Sequence, residues 1–250
     1  MIKITKIITR LSKYPSLILI TILGLFIALV VFPLVSDQRK GSIASNWFRV
    51  LMRIFGVRLE VEGVEKAYSC GLLVSNHISW MDIVVIFACL PVKFLSKREV
   101  RRWPVIGFLA ASVGTFFIKR SSRRDLLSVN KRMSILMKEG GRIAAFPEGT
   151  TTVGKAVKPF HSSIFQSVID AKGFVCPSAI TYRYEDSLST ENVAYVDNIS
   201  LIRSIDSVLV GPRLIARVKF LQPLKASGES RQSLASISER AVSDSLLDGS

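Results

Sequence analysis

Residues 17–35 contain no charged side chain. As an α-helix such a run measures about 28 Å, close to the hydrocarbon thickness of a bilayer. A stretch this long and apolar commits the start of the chain to a membrane. Lys3, Lys6, Arg10 and Lys13 precede it, as in a signal peptide, but no small-x-small cleavage site stands before Asp37, so the segment reads as a retained anchor. In a simple span those four cations would stay in the cytosol and send the rest of the chain across. Pro33 and residues 47–57, WFRVLMRIFGV, suggest another path. Arg49 and Arg53 share one helical face, while Trp47, Leu51, Ile54 and Phe55 lie mostly away from it, the pattern of a helix lying in the interface. The expectation is a membrane helix at 17–35 and an interfacial helix at 47–57 that dip into one leaflet and return, leaving the domain on the cytosolic face. An ordinary span followed by a juxtamembrane helix is the competing arrangement. Residues 1–58 then form the anchor, 59–225 the main domain, and 226–250 a Ser-rich tail read as a loosely held helix.

From residue 71 onward short apolar runs alternate with helical periodicity. Strands are predicted at 71–74, 93–96, 115–118, 142–146, 175–182, 193–196 and 214–220, and helices at 80–89, 100–112, 125–138 and 162–171. In the third helix Leu126, Val129, Met133, Leu136 and Met137 recur at helical spacing, and Gly140-Gly141 stops it. Strands separated by helices of this length build an α/β domain, a largely parallel mixed sheet flanked by helices, with the site on loops that follow the strands.

Charge narrows the partner. Lys and Arg total 34 against 19 acidic residues, net +15, and residues 93–142 hold 13 of the basic residues with three acidic ones. The 49% hydrophobic content excludes a disordered basic tail, so the basic surface belongs to a fold and needs an anionic partner. Nucleic acid would call for aromatics interleaved with Lys and Arg. Phe108, Phe116 and Phe117 stand instead in apolar runs, so anionic membrane lipid is expected and nucleic acid is not. A membrane-tethered nucleic-acid-binding protein is the alternative of a different class. Cys70, Cys89 and Cys176 lack metal-ligand spacing and read as reduced core thiols; no metal is expected.

The strand at 71–74 runs into Ser75-Asn76-His77, and Ser79-x-x-Asp82 is a capping box that opens the next helix. Side chains on a helix tilt toward its N-terminus, so Asp82 points back at His77 and can accept its ring N–H, leaving the other nitrogen as a base. With no G-x-S-x-G elbow and no cysteine beside His77, the nucleophile falls to a bound substrate's hydroxyl. Further blocks follow: Gly114-Thr-Phe-Phe-Ile-Lys-Arg120, Phe146-Pro-Glu-Gly-Thr150 and the strand opening at Val175-Cys-Pro177. Gly149-x4-Gly154-Lys155 nearly spells a phosphate-binding loop, but Ala156 has no hydroxyl for Mg²⁺ and Pro159 prevents the long helix such a loop opens.

Taken in order, these blocks resemble the 1-acyl-sn-glycerol-3-phosphate acyltransferase family, with its NHxxxxD, G-x-x-F-x-x-R, FPEGT and V-P motifs, over residues 72–180. The resemblance implies a catalytic domain at 59–225 that moves a fatty acyl group from acyl-CoA or acyl carrier protein to the hydroxyl of 1-acylglycerol-3-phosphate, giving phosphatidic acid without a cofactor. It implies His77 as base, Asp82 as its orienter, Arg120 as a phosphate contact, and Glu148, Gly149 and Thr150 as residues shaping the acceptor site. Two departures bear on the acceptor. Lys119 stands where the family usually has an acidic residue, and Thr151 where it has an arginine. Lys119 or Lys155 can supply part of the missing charge, while Thr-Thr after FPEG resembles relatives that acylate lyso-ornithine lipid or other lysolipids.

Overall fold

The computed structural model describes residues 2–119, 121–185, 193–196 and 199–247. Helix α1, Ile2–Phe26, continues through a π turn at Ile27–Val31 and a 3-10 turn at Phe32–Leu34 that contains Pro33. The chain then reverses into α2, Asp37–Phe55. The membrane run is therefore part of a longer helix than 17–35, and its partner begins at Asp37 rather than at residue 47. Gly56, at φ 73°, caps α2, and Val57 already belongs to a strand.

The two helices form a tight hairpin. The Trp47 indole N–H donates to the Ile20 carbonyl at 2.8 Å, and a Cβ on Gly24 would stand 2.8 Å from that same nitrogen. The hairpin is fastened to the rest of the molecule at both ends. Near its start Arg10 and Tyr14 each reach Asp206 at 2.8 Å, and Lys13 donates to the Leu209 carbonyl at 2.9 Å. At its tip Asp37 pairs with Lys93 at 2.9 Å.

The strands are β1 Val57–Glu62, β2 Leu72–Ser75, β3 Lys93–Lys97, β4 Phe116–Ile118, β5 Ile143–Ala145, β6 Phe174–Tyr184, β7 Leu214–Phe220 and β8 Leu224–Lys225. Among the described residues they form one sheet, ordered β1-β7-β6-β2-β5-β3-β4, with β8 beside β6. The pairings are parallel except for those of β6 with β7 and β8, as a largely parallel mixed sheet requires. The helices are α3 Met81–Cys89, α4 Ile106–Ser112, α5 Arg123–Lys138, α6 Gln166–Ala171, α7 Leu201–Val210 and α8 Arg231–Leu247.

Alternation along the central strands separates two cores. Leu73, Ala144 and Cys176 face one side, with α3 and the hairpin residues Ile20, Phe32, Leu51 and Phe55. Leu72, Val74, Ile143 and Val175 face the other, with Met133, Phe165 and Leu234. β2 is buried along its whole length, as a central parallel strand should be.

Three sequence readings change. The border at residue 58 marks a shift in composition, but packing runs across it, because α1 and α2 share a core with α3. The tail at 226–250 is not loosely held where it is described: α8 buries Leu234, Ala235 and Val242, and its Glu239 accepts the Phe160 N–H at 2.8 Å. Residues 193–196 form no strand; Tyr195 N–H donates to the Ile78 carbonyl at 2.9 Å, so this segment crosses the loop that carries His77. The thiols sit in the core: Cys70 and Cys176 are buried, and burial pushes Cys89 up to about 12.

Candidate active site

β2 and β5 are parallel neighbours, with Val74 opposite Ala145, so the loops leaving them emerge side by side. One carries His77 and the other Phe146-Pro-Glu-Gly-Thr150. The two rings stack at 4.0 Å with their planes 6° apart. The His77 N–H donates to Glu148 Oε1 at 2.6 Å, and its carbonyl accepts the Thr152 N–H at 2.8 Å. The histidine backbone is thus clamped on both sides by the following loop.

On the other flank Asn76 continues the β2–β6 ladder with its side chain. Its Nδ2 donates to the Ile180 carbonyl at 2.9 Å, and its Oδ1 accepts the Ile180 N–H at 2.8 Å. Both ends of that amide are satisfied, so the turn into His77 has little freedom.

Asp82 is fully buried. Its Oδ2 lies 2.8 Å from His77 Nδ1 and accepts the N–H groups of Ile78 and Ser79 at 2.7 and 3.0 Å. Its Oδ1 accepts the Tyr182 hydroxyl at 2.7 Å. Four donors around one carboxylate fix its plane, and that plane sets the imidazole. With Nδ1 turned to Asp82, Nε2 is the ring nitrogen that could accept a proton. Only the carboxylate half of the expected capping box forms: Asp82 holds the Ser79 N–H, whereas Ser79 Oγ is buried with no hydrogen-bond partner among the described residues.

His77 lies on the wall of a groove of about 570 Å³ that is mostly apolar. Gly24, Ile27 and Phe32 of the hairpin line it, together with Trp103, Ile106 and Leu109. Gly149, Thr150 and Thr151, from the loop that clamps His77, line it as well. This shape suits a hydrocarbon chain whose polar end lies beside His77.

Residues 58–181 match the family described as Acyltransferase. A lyso-ornithine lipid O-acyltransferase of Pseudomonas aeruginosa is 37% identical over 196 residues, covering 78% of this chain and 75% of that protein. A 1-acyl-sn-glycerol-3-phosphate acyltransferase of Neisseria meningitidis is 32% identical over 202 residues, covering 80% and 79%. The chain belongs to the 1-acyl-sn-glycerol-3-phosphate acyltransferase family. It is an acyltransferase of the lysophospholipid type. In fold it is similar to the crystal structure of the 1-acyl-sn-glycerophosphate acyltransferase PlsC from Thermotoga maritima, with a TM-score of 0.73 at 20% identity, covering 99% of this chain and 97% of that one.

Within this acyltransferase His77 and Asp82 meet as their spacing predicts, and Gly149 and Thr150 line the groove. Glu148 is placed otherwise than as a substrate contact. It is buried, and Oε2 accepts the Lys158 N–H at 2.9 Å while Oε1 holds His77. Burial raises its carboxyl above the ordinary value, against the pull of those two N–H groups. Lys119 is exposed, and its N–H donates to Asp125. It follows β4, which lies three strand spacings from β2, about 14 Å by ordinary sheet geometry. Arg120 lies outside the described residues. Thr151 adds no charge, and its hydroxyl donates to the Tyr195 carbonyl.

Tyr182, Asn76 and Thr152 are the contributors that sequence reasoning passed over. A signal for Tyr182 existed: it alternates in phase with Cys176, Ile180 and Tyr184, so its ring and hydroxyl fall on an apolar face of β6.

Proposed function

We propose that His77 acts as the general base in transfer of a fatty acyl group from a thioester, acyl-CoA or acyl carrier protein, to the free hydroxyl of 1-acylglycerol-3-phosphate. The observation that carries this reading is the His77–Asp82 pair, with His77 lining an apolar groove. His77 Nε2 takes the proton as the acceptor oxygen attacks the thioester carbonyl, and Asp82 stabilises the resulting imidazolium. Collapse of the tetrahedral adduct breaks the carbon–sulfur bond. The imidazolium returns its proton to the departing thiolate, so a free thiol and an ester are the products. Glu148, Thr152 and Asn76 hold the histidine in place and touch neither substrate. Lys97, which lines the groove, and the nearby Lys119 supply positive charge for a phosphate-bearing acceptor.

A second acceptor, lyso-ornithine lipid, is favoured by one feature: Thr151, tied to Tyr195, brings no cation where the family has arginine. Purified enzyme offered both acceptors together, with products resolved by mass spectrometry, tests the choice. Phosphatidic acid as the main product supports the first reading and acylated ornithine lipid the second. Thr151→Arg is expected to raise kcat/KM for the phosphate acceptor by about tenfold, as one charge-assisted contact would. No gain would remove Thr151 from acceptor selection.

We place the hairpin in one leaflet with the domain on the cytosolic face. Fastening at both ends, near Asp206 and at Lys93, supports a hairpin lying against the domain over one that crosses away from it. Protease added outside sealed cells should leave the domain intact; cleavage would reverse the assignment.

A further inference from the structure

A second apolar projection shares the lining of the groove with the hairpin. A 3-10 turn at Arg98–Arg102 leads into Trp103-Pro104-Val105, and α4 follows. Trp103, Val105, Ile106 and Phe108 are each about two-fifths exposed. Val105 adopts φ 62° and ψ −64°, closed by an Ile106 N–H to Pro104 carbonyl bond at 2.6 Å. A β-branched residue avoids this tight turn unless its surroundings impose it.

Here they do. A Cβ on Gly107 would lie 2.4 Å from the Arg101 carbonyl oxygen, so α4 is pressed against the preceding turn. Arg98 bonds to Asp125 at 2.9 Å, and the Arg101 guanidinium sits 5.6 Å from the Phe117 ring centre. The apolar tip is therefore held out rigidly on a braced turn.

Two observations say what covers it. The tip is accompanied by exposed cations: Lys97, Arg98, Arg101 and Arg102 precede it in the chain, and Arg123 and Arg124 adjoin Asp125, the partner of Arg98. It is also continuous with a surface built for lipid. Val100, Trp103, Val105 and Ile106 line the same groove as the hairpin, whose outer face exposes Leu19, Ile22, Leu23 and Phe26. An apolar tip with basic flanks is the chemistry of insertion into an anionic leaflet.

We propose that residues 98–108 are a second bilayer contact. Trp103, Val105, Ile106 and Phe108 enter the acyl region of an anionic leaflet, Arg101 and Arg102 engage its head groups, and the groove opens into lipid between this tip and the hairpin. The inference rests on reading the groove as a lipid-binding site, but its first test requires no turnover.

Full-length enzyme is mixed with phosphatidylglycerol vesicles carrying brominated chains, and quenching of wild type is compared with that of Trp103→Phe. The quenched emission is expected to drop in the variant, because Trp103 is in the lipid. Equal quenching in both overturns the proposal. The second test uses Arg102→Gln combined with Phe108→Ser, neither residue lining the groove. With acceptor presented in phosphatidylglycerol vesicles its rate should fall roughly fivefold or more, while the rate in detergent stays within about twofold of wild type. Phosphatidylcholine vesicles should narrow the gap. Equal losses in vesicles and detergent would assign the tip to the fold instead. A protein-concentration-dependent dimer that the double variant abolishes, with Trp103 unquenched, would assign it to a second copy of the chain. Quenching of Trp103 without acyl transfer would leave the contact standing and remove the catalytic reading.

Discussion

Tyr182→Phe isolates what the orientation of Asp82 is worth. The substitution removes one oxygen, the donor to Asp82 Oδ1 at 2.7 Å, and leaves the ring where it packs. The acceptor is charged and buried, so the bond contributes about 1.5–3 kcal/mol. Without it Oδ1 loses its only hydrogen bond among the described residues, and the carboxylate is free to rock about its contacts with Ile78, Ser79 and His77. If the loss falls on the transition state, kcat drops by about tenfold to a hundredfold. KM for both substrates should hold, since Tyr182 does not line the groove. A pH arm distinguishes the hydroxyl's role from general damage. Burial, then the neighbouring Asp82, raises the phenol well above its ordinary 10.0, so it stays protonated in the fold while the unfolded chain ionises there. That stability is fully present below pH 10 and is lost as pH rises beyond it. Wild type should lose stability above pH 10 more steeply than the variant. Initial rates with saturating thioester, set beside denaturant midpoints, measure both effects. A variant with lowered midpoint but wild-type kcat would refute the claim that Tyr182 positions the dyad.

His77→Ala should cut turnover by about a hundredfold or more while lowering stability by only about 1 kcal/mol from the lost Phe146 stacking; retained turnover would remove His77 as base. Glu148→Gln should lower kcat, because an amide oxygen cannot hold both the His77 and Lys158 N–H groups as the two carboxylate oxygens do. Because burial raises the Glu148 carboxyl, wild type should gain stability on this variant as pH falls from the raised value toward the ordinary 4.5, and a pH-independent difference in thermal midpoint would contradict that. Deleting residues 1–36 should give insoluble or inactive protein even with detergent-dispersed substrate, since Ile20, Ala28 and Phe32 leave the core; a soluble, active fragment would show that the hairpin is dispensable to the fold.

What could be read from the sequence was what depends on near neighbours. His77 and Asp82 are five residues apart across a helix start, so local geometry joins them. Tyr182 lies 100 residues from Asp82, and no spacing rule connects them. Glu148 was legible as part of a motif but not in its role, because a carboxylate in a turn gives no sign that both oxygens will be taken by backbone. β1 was missed because Arg58, Glu60 and Glu62 interrupt its apolar residues just after a predicted interfacial helix. Val193-Ala-Tyr-Val196 has the letters of a strand, yet Tyr195 is claimed by the Ile78 carbonyl. Helix α8 looked weak because Ser238 and Ser245, polar by type, are buried along with its apolar residues.

The pairing of β1 with β7, Val57 opposite Leu214, has a consequence for how the protein is made. The lipid-facing helices leave the ribosome first, and the strand that follows them waits for a partner about 160 residues later, roughly ten to thirty seconds at ordinary rates of synthesis. Through that interval the apolar residues of α1 and α2 have no sheet to cover them. A bilayer is a surface that could shelter them, so the nascent chain is expected to meet lipid before its sheet closes. On that expectation maturation is coupled to arrival at the membrane, and a chain that reaches residue 220 in water should assemble its core less efficiently than one synthesised with membranes present, as refolding yields with and without vesicles would show.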